Sequence, residues 1–227
     1  MGKLQPNELI EIDIFSGLTR DEAFEICSMN ILSKHAPGQT FLLENDWGNN
    51  LFLILKGVSK VRTFTEEGEE IVLCLLGEHE IFGEIALLDG GGRSADVVSL
   101  TETTLVKFPG PPVVKSLQSN NEFVNQLARL EAKRLREMNK RFVLQSSDAT
   151  TRLLASLAYV ATKFCKECDP FGDIPVLAQR DVAAIAGLAR ETASRTLGKL
   201  KQKNIIESND SGIRIISKEA LQKRGLL

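Results

Sequence analysis

The 227-residue chain is poor in several features, and each absence narrows what it can be. No apolar run approaches the ~18 residues that read as a membrane span. The opening MGKLQPNELIEIDIF lacks the basic-then-apolar pattern of a secretory signal, and Pro6 stands where a myristoylation motif needs Ser or Thr. The expectation is a cytoplasmic protein with no membrane partner. Cysteine is sparse and irregularly spaced, which fits a reducing compartment better than a disulfide framework. The remaining metal-ligand candidates, Cys27, Cys74, His35 and His79, are scattered over separate segments, so no metal site is expected. The run CKEC, Cys165 to Cys168, lacks the βαβ context of a thiol oxidoreductase and reads as two small residues at a helix end. The Gly-rich stretch near residue 90 is not followed by Gly-Lys-Ser/Thr, which excludes a P-loop. No catalytic residue is assigned, and the chain is not read as an enzyme.

What is present is an ordinary globular composition, 43% hydrophobic and 26% charged, with a hidden charge asymmetry. From Val176 to the end there are 10 Lys/Arg against 5 Asp/Glu, a balance of +5. Subtraction from 28 and 30 leaves 18 against 25, or −7, for residues 1–175. The basic end is the candidate nucleic-acid surface.

Hydrophobic periodicity divides the chain. Residues 7–30 read as short amphipathic helices burying Leu9, Ile10, Ile14, Phe15, Leu18, Ala23, Phe24 and Ile26. From Ile31 to Phe108 the pattern changes to short β segments, TFLLE, LFLILKG, VSKVRTFT, EIVLCLL, ADVVSL and TTLVKF, separated by turn signals. Regular spacing of this kind predicts an antiparallel barrel or jelly roll, closed by PGPP at Pro109–Pro112. His35 is expected at the surface at a strand start, and Trp47 as a partly buried anchor. Helix returns from Val113 to about Gln145. There Leu135, Met138 and Phe142, continued upstream by Ala128 and Val124, form a narrow seam among charges on a helix of ~24 residues, ~36 Å long. Such a stripe suits a two-fold dimer; the alternative is packing against the chain's own β domain, for which Leu127 and Leu130 on the neighbouring face are available. QSSDATT is the expected hinge, with a new helix from near Thr151.

Two constellations carry chemistry. In FGEIALLDGGGRSADV, Arg93 offers a planar charged fork to an anion, and Ser94 with the backbone of a Gly-rich turn adds donors. Glu84 would repel a phosphate but accept from a sugar hydroxyl while orienting Arg93, and Gly83 allows close backbone approach. Anion grip plus hydroxyl acceptor suggests a ribose phosphate. Ile85, Ala86, Leu87 and Leu88 read as a short helix tucked into the roll. In RDVAAIAGLARETASRTLGKLKQKNIIE, a helix ending at Gly187, a turn and a second helix from near Arg190 bring Ala183, Ile185 and Ala186 against Ala193, Leu197 and Leu200. IIESNDSGIRII follows as a hairpin wing. Arg190, Glu191, Ser194 and Arg195 share the N-terminal outer face of the second helix. Arginine pairs bidentately with guanine and glutamate accepts from cytosine, so G·C-containing half-sites are expected. Lys199, Lys201, Lys203 and Arg214 would sit on phosphates.

FGEIALLDGGGRSADV resembles the phosphate-binding cassette of cyclic-nucleotide-binding domains, and RETASR resembles the recognition helix of the catabolite activator (CRP/FNR) family. The resemblance runs from Leu9 to the hairpin. It implies an α+β architecture: a β-roll (jelly-roll) sensor over residues 1–112, a dimerisation helix over 113–146 and a winged helix-turn-helix over 147–227. It implies a homodimeric transcription regulator acting on palindromic double-stranded DNA, with RNA polymerase as a further partner and cAMP as allosteric ligand. The implied ligand site is Gly83, Glu84, Ile85, Ala86, Arg93, Ser94, Met138 and Asn139; the implied DNA-binding set is Gln179, Arg190, Glu191, Ser194, Arg195 and Lys199. Three departures stand out. Cyclic-AMP-responsive members place a Thr-Ser or Thr-Asn pair where this chain has Met138 and Asn139, which keeps cGMP, cyclic di-GMP or ligand independence open. Ala178 and Ala189 occupy positions usually held by capping Ser or Thr, and Gln179 replaces a basic residue. Iron–sulfur members carry an N-terminal cysteine cluster, of which this chain has only Cys27. A haem-sensing role for Cys74 and His79 fits poorly with an intact cassette.

Overall fold

A computed structural model describes residues 3–165 and 169–227, so Cys168 of the CKEC run lies outside the described residues. By contact the chain forms two units, Met1–Ser59 with Leu76–Asn139, and Lys60–Leu75 with Lys140–Leu227.

The first unit opens with α1 (Pro6–Ile10), a 3-10 turn (Asp13–Phe15) and α2 (Arg20–Cys27). Thr19 and Glu22 form a capping box: Thr19 Oγ1 accepts from the Glu22 N–H at 3.3 Å and Glu22 Oε2 accepts from the Thr19 N–H at 2.8 Å. Leu9, Ile14, Phe15, Leu18, Ala23 and Ile26 are buried, but Phe24 is 67% exposed. Ala23, Ile26 and Cys27 set the inward face of α2, and residue 24 lies about 100° round from residue 23.

The strands are β1 (Ile31–His35), β2 (Thr40–Leu42), β3 (Asn50–Lys56), β4 (Ser59–Phe64), β5 (Glu70–Leu76), β6 (Ile81–Phe82), β7 (Asp96–Ser99) and β8 (Thr103–Pro109), with α3 (Glu84–Asp89) between β6 and β7. One sheet has the order β1-β8-β3-β6. Its pairs are antiparallel, with Ile31 opposite Lys107 and Leu53 opposite both Val106 and Ile81. β2 pairs antiparallel with β7, and β4 neighbours β5. The hairpin of β4 and β5, expected to belong with residues 1–112, groups by contact with the C-terminal residues from Lys60 to Leu75.

Two positions differ from expectation. Trp47 is 86% exposed, because its loop is held through the backbone: the Asn45 N–H donates to the Arg93 carbonyl at 2.8 Å and the Arg93 N–H to the Asp46 carbonyl at 3.0 Å. His35 ends β1 rather than starting a strand and is half-buried, its ring 4.9 Å from Phe41 and its Nε2 sharing a 2.9 Å hydrogen bond with Ser33 Oγ.

The helical stretch read from Val113 to about Gln145 holds α4 (Gly110–Ser119) and the 24-residue α5 (Asn121–Leu144), the length expected of the helix that carries the stripe. Asn120 between them is extended (φ −120, ψ 98). Its Nδ2 donates to the Gly17 carbonyl at 2.9 Å and to Glu22 Oε2 at 2.8 Å, and its Oδ1 accepts from the Phe123 N–H at 3.0 Å. One side chain thus ends a helix, starts the next and ties both to the N-terminal segment. The core beneath is aromatic, with the Phe15 ring 6.0 Å from Phe108 and 5.7 Å from Phe123. Leu127 is buried and Leu130 packs on the same cluster, whereas Leu135, Met138 and Phe142 are exposed.

In the second unit α6 (Ala149–Phe164) starts two residues before the predicted Thr151, because Asp148 is the cap: its Oδ1 accepts from the N–H groups of Thr150 at 2.8 Å and Thr151 at 3.2 Å. Then come β9 (Ile174–Pro175), α7 (Gln179–Ala186), α8 (Arg190–Gln202), β10 (Ile206–Asn209), β11 (Gly212–Ile215) and α9 (Lys218–Gln222). The hairpin is joined by β9 into a sheet of order β10-β11-β9. Asn209 Oδ1 shapes the turn, accepting from the N–H groups of Ser211 at 2.9 Å and Gly212 at 3.1 Å.

Candidate functional site

The cassette is built around a buried arginine. Arg93 is 4% exposed. Its Nη1 donates to the Gly83 carbonyl at 2.9 Å, its Nη2 to the Asn50 carbonyl at 3.0 Å, and its carbon Cζ lies 5.7 Å from the centroid of the Phe52 ring. Burial lowers its pKa from the usual value while the charge of Glu84 works the other way. Nε is buried with no hydrogen-bond partner. A buried donor left unpaired costs about 1–3 kcal/mol, so this fork is short of one acceptor, as an anion would supply.

Gly83 is what allows the fork so close. It adopts φ +85, and a Cβ there would lie 2.7 Å from Arg93 Nη1 and 2.9 Å from the Asn50 carbonyl. Gly48 is similar, its added Cβ falling 2.7 Å from Arg93 Nη2. Glu84 follows Gly83 as the first residue of α3 and is 5% exposed. Its Oε1 accepts from Arg134 Nη1 at 2.7 Å, and Arg134 also pairs with Glu131 at 2.9 Å and donates to the Ile81 carbonyl. Its Oε2 is buried and unpartnered, and burial raises its pKa against the pull of Arg134. The ion pair of Glu84 is therefore to Arg134 on α5, not to Arg93 as the sequence suggested. The site holds one donor and one acceptor that want partners, which suits a ligand carrying both an anion and a hydroxyl.

The other expected ligand residues are placed less tightly. Ala86 is buried, but Ile85 at 41% and Leu88 at 55% are exposed, so only part of α3 is tucked in. Ser94 is exposed beside Arg93, and Met138 and Asn139 are exposed on α5. Asn50, Phe52 and Arg134 were missed. A signal for Arg134 existed: it lies four residues before Met138, on the same helical face.

The second constellation matches its predicted outline. α7 ends at Gly187, which takes φ 60, ψ 36, and α8 begins at Arg190. Val182, Ala183, Ile185 and Ala186 are buried, as are Ala193 and Leu200, while Leu197 is half-buried. Arg190, Glu191, Ser194, Arg195 and Lys199 are all exposed, as is Gln179 at the start of α7. Ala178 and Ala189 are the N-caps of α7 and α8, and neither helix has a side-chain cap. Lys201 Nζ donates to the Ser208 carbonyl at 3.2 Å and Arg214 Nε to the Phe171 carbonyl at 3.0 Å, so these two cations also brace the wing.

Comparison with known proteins matches a domain over each of the two regions. A cyclic nucleotide-binding domain model matches residues 32–120 and a Crp-like helix-turn-helix domain model matches residues 151–224. The Thermus thermophilus cyclic AMP receptor protein is 32% identical over 196 residues, covering 85% of this chain and 87% of that protein. Two solved structures share the fold: FixK2 from Bradyrhizobium japonicum (TM-score 0.75, 16% identity, 86% of this chain and 96% of that one) and the c-di-GMP responsive global regulator CLP of Xanthomonas campestris (TM-score 0.71, 17% identity, 88% and 100%). The chain belongs to the CRP/FNR family of transcription regulators and carries a cyclic nucleotide-binding domain. Among the described residues no helix is long and apolar enough to cross a membrane.

Proposed function

We propose that the chain is a homodimeric regulator whose binding to DNA is switched by a cyclic nucleotide, with cAMP as the ligand. The observation that carries this reading is the pair of buried orphan atoms of opposite character in the cassette, Arg93 Nε and Glu84 Oε2. The cyclic phosphate satisfies Arg93 together with Ser94, and a ribose hydroxyl donates to Glu84, with Gly83, Ile85 and Ala86 lining the approach. Met138 packs on the base and Asn139 bonds its edge. The name of the Thermus relative supports cAMP. Met138, where a polar base contact is expected, favours a second reading in which another nucleotide, cGMP or cyclic di-GMP, takes the site or the protein acts without ligand.

The working division is a sensor over residues 1–112, a dimerisation helix over 113–146 and a DNA-binding module over 147–227. The exposed stripe of Leu135, Met138 and Phe142 is the seam with a second copy. Paired modules then read a palindrome through Arg190, Glu191, Ser194 and Arg195, with Gln179 and Lys199 on phosphates, and RNA polymerase is the downstream partner. Titration of the purified protein with cAMP, cGMP and cyclic di-GMP by calorimetry tests the ligand. Saturable binding of cAMP in preference to the others is the expected outcome; tighter binding of another nucleotide moves the assignment to it, and binding of none overturns the sensor reading.

A further inference from the structure

The second unit contains a hairpin that comes from the middle of the sensor sequence. Residues 60–75 belong to it, although residues 59 and 76 at either end belong to the first unit. The chain therefore passes between the units at 59/60, 75/76 and 139/140, three times rather than once. Within the second unit polar groups fasten the hairpin to the helices of the C-terminal module. Lys60, 3% exposed, places Nζ 2.7 Å from Asp181 Oδ1 in the first turn of α7 and also pairs with Glu70 on β5. At the other end of α7, Arg141 Nη2 donates to the Ile185 carbonyl at 3.3 Å and to the Val72 carbonyl of β5 at 2.9 Å, while its Nη1 donates to the Leu73 carbonyl. Tyr159 Oη on α6 accepts from the Leu75 N–H at 3.0 Å.

A buried lysine held by two carboxylates is a demanding way to join two pieces, and such a pair contributes more to defining one arrangement than to stability. Removing Lys60 leaves Asp181 without this partner, and removing Asp181 leaves Lys60 held by Glu70 alone, so the contact to α7 has two settings, made or broken. Lys60 touches neither the cassette nor the outer face of α8, yet it grips the helix that supports α8. From this arrangement, and resting on the nucleotide-switch reading above, we infer that Lys60 is a positioning residue for DNA recognition. Its bond to Asp181 makes the hairpin the arm through which the nucleotide-binding unit sets the helix-turn-helix, independently of the connection through α5.

The test uses the full-length protein with Lys60→Met, Asp181→Asn, both together, and Lys60→Arg. Each is measured for thermal midpoint, for cAMP affinity by calorimetry, and for affinity to a palindromic duplex with and without cAMP by fluorescence anisotropy. The expected result is that each single variant binds cAMP within about twofold of the parent but loses about tenfold or more of the cAMP-dependent gain in DNA affinity. The double variant is no worse than Lys60→Met, as two halves of one contact require, and Lys60→Arg restores most of the gain. Undiminished gain in both single variants, or effects of the two that simply add, overturns the inference. Should Lys60→Met fail to fold, Asp181→Asn at the more accessible end of the pair carries the same readouts. If the parent itself shows no gain with cAMP, the nucleotide reading has failed instead, and the arm is judged on ligand-free DNA affinity: loss in both single variants supports it and no change overturns it.

Discussion

The cassette and the second helix of the helix-turn-helix both carry arginines, and they hold them in opposite ways. Arg93 is 4% exposed, with two of its nitrogens committed to backbone carbonyls and the third left wanting, and two glycines are needed to let it sit there. Arg190 and Arg195 stand exposed on the first turns of α8, with a buried Ala193 between them as the anchor. A small ligand must be enclosed to be held, so its site concentrates unsatisfied groups in a low-dielectric space where one atom decides the outcome. A nucleic acid brings its own charge and area, so its site spreads modest contributions over many solvated groups and stays sensitive to salt. One region is built for necessity, the other for summation.

Three substitutions sharpen that contrast. The largest effect belongs to Arg93→Ala, which removes the fork while leaving α8 untouched. Cyclic-nucleotide affinity measured by calorimetry falls about a hundredfold, the loss of the charge-assisted hydrogen bond that Nε offers together with the fork's charge beside the anion, while ligand-free DNA affinity stays the same. A parallel fall in ligand-free DNA affinity would mean that Arg93 holds the fold rather than the ligand. On the other side, Arg195→Ala weakens binding to a G·C-containing half-site about tenfold to a hundredfold and relaxes base preference there. Lys199→Ala instead weakens all sequences alike and lowers the slope of log affinity against log salt by about 1. Equal behaviour of the two variants would erase the division between reading and positioning.

Smaller effects follow from the helix ends and the acid. Ala178→Ser and Ala189→Ser supply the caps that α7 and α8 lack, and each raises unfolding stability by about 0.5–2 kcal/mol in a denaturant titration; no gain would mean that the open N–H groups already have partners. For Glu84 the sign comes from burial. Its folded-state pKa lies above the ordinary 4.5, so the folded state holds this proton more tightly than the unfolded chain. The stability linked to that proton is complete below the unfolded value and is lost as pH rises through the folded one. At neutral pH Glu84→Gln therefore raises the thermal midpoint of the ligand-free protein slightly and weakens nucleotide binding, whereas a lowered midpoint would show that the Arg134 pair outweighs burial.

Local signals carried much of this into view from the sequence. Gly187, the uncapped alanines, the Asn209 turn and the Asp148 cap are each decided within a few residues, so α7, α8, the wing and, to within two residues, the start of α6 were legible. The charged pair in FGEIALLDGGGRSADV was legible as chemistry, but its partners were not. Arg134 lies 50 residues from Glu84 and Asn50 lies 43 from Arg93, separations over which periodicity says nothing. The break at Asn120 was hidden for the same reason, since its partners Gly17 and Glu22 are about a hundred positions away in the chain. Phe24 and Trp47 show the reverse error: one was placed in the buried set of an amphipathic pattern and the other as a partly buried anchor, while neighbouring residues had already determined which way the backbone faces. The bond between Lys60 and Asp181, which ties the hairpin to α7, likewise spans 121 positions.

The central claim is that the enclosed site governs the exposed one. It is tested most directly by measuring affinity for a palindromic duplex over a full range of cAMP concentration, at fixed salt, on the unaltered protein. Because coupling between two binding events is reciprocal, DNA affinity should rise along the saturation curve of the nucleotide and then level off, and saturating DNA should tighten cAMP binding by the same factor. DNA affinity that stays flat across the nucleotide range, with cAMP demonstrably bound, would contradict the account.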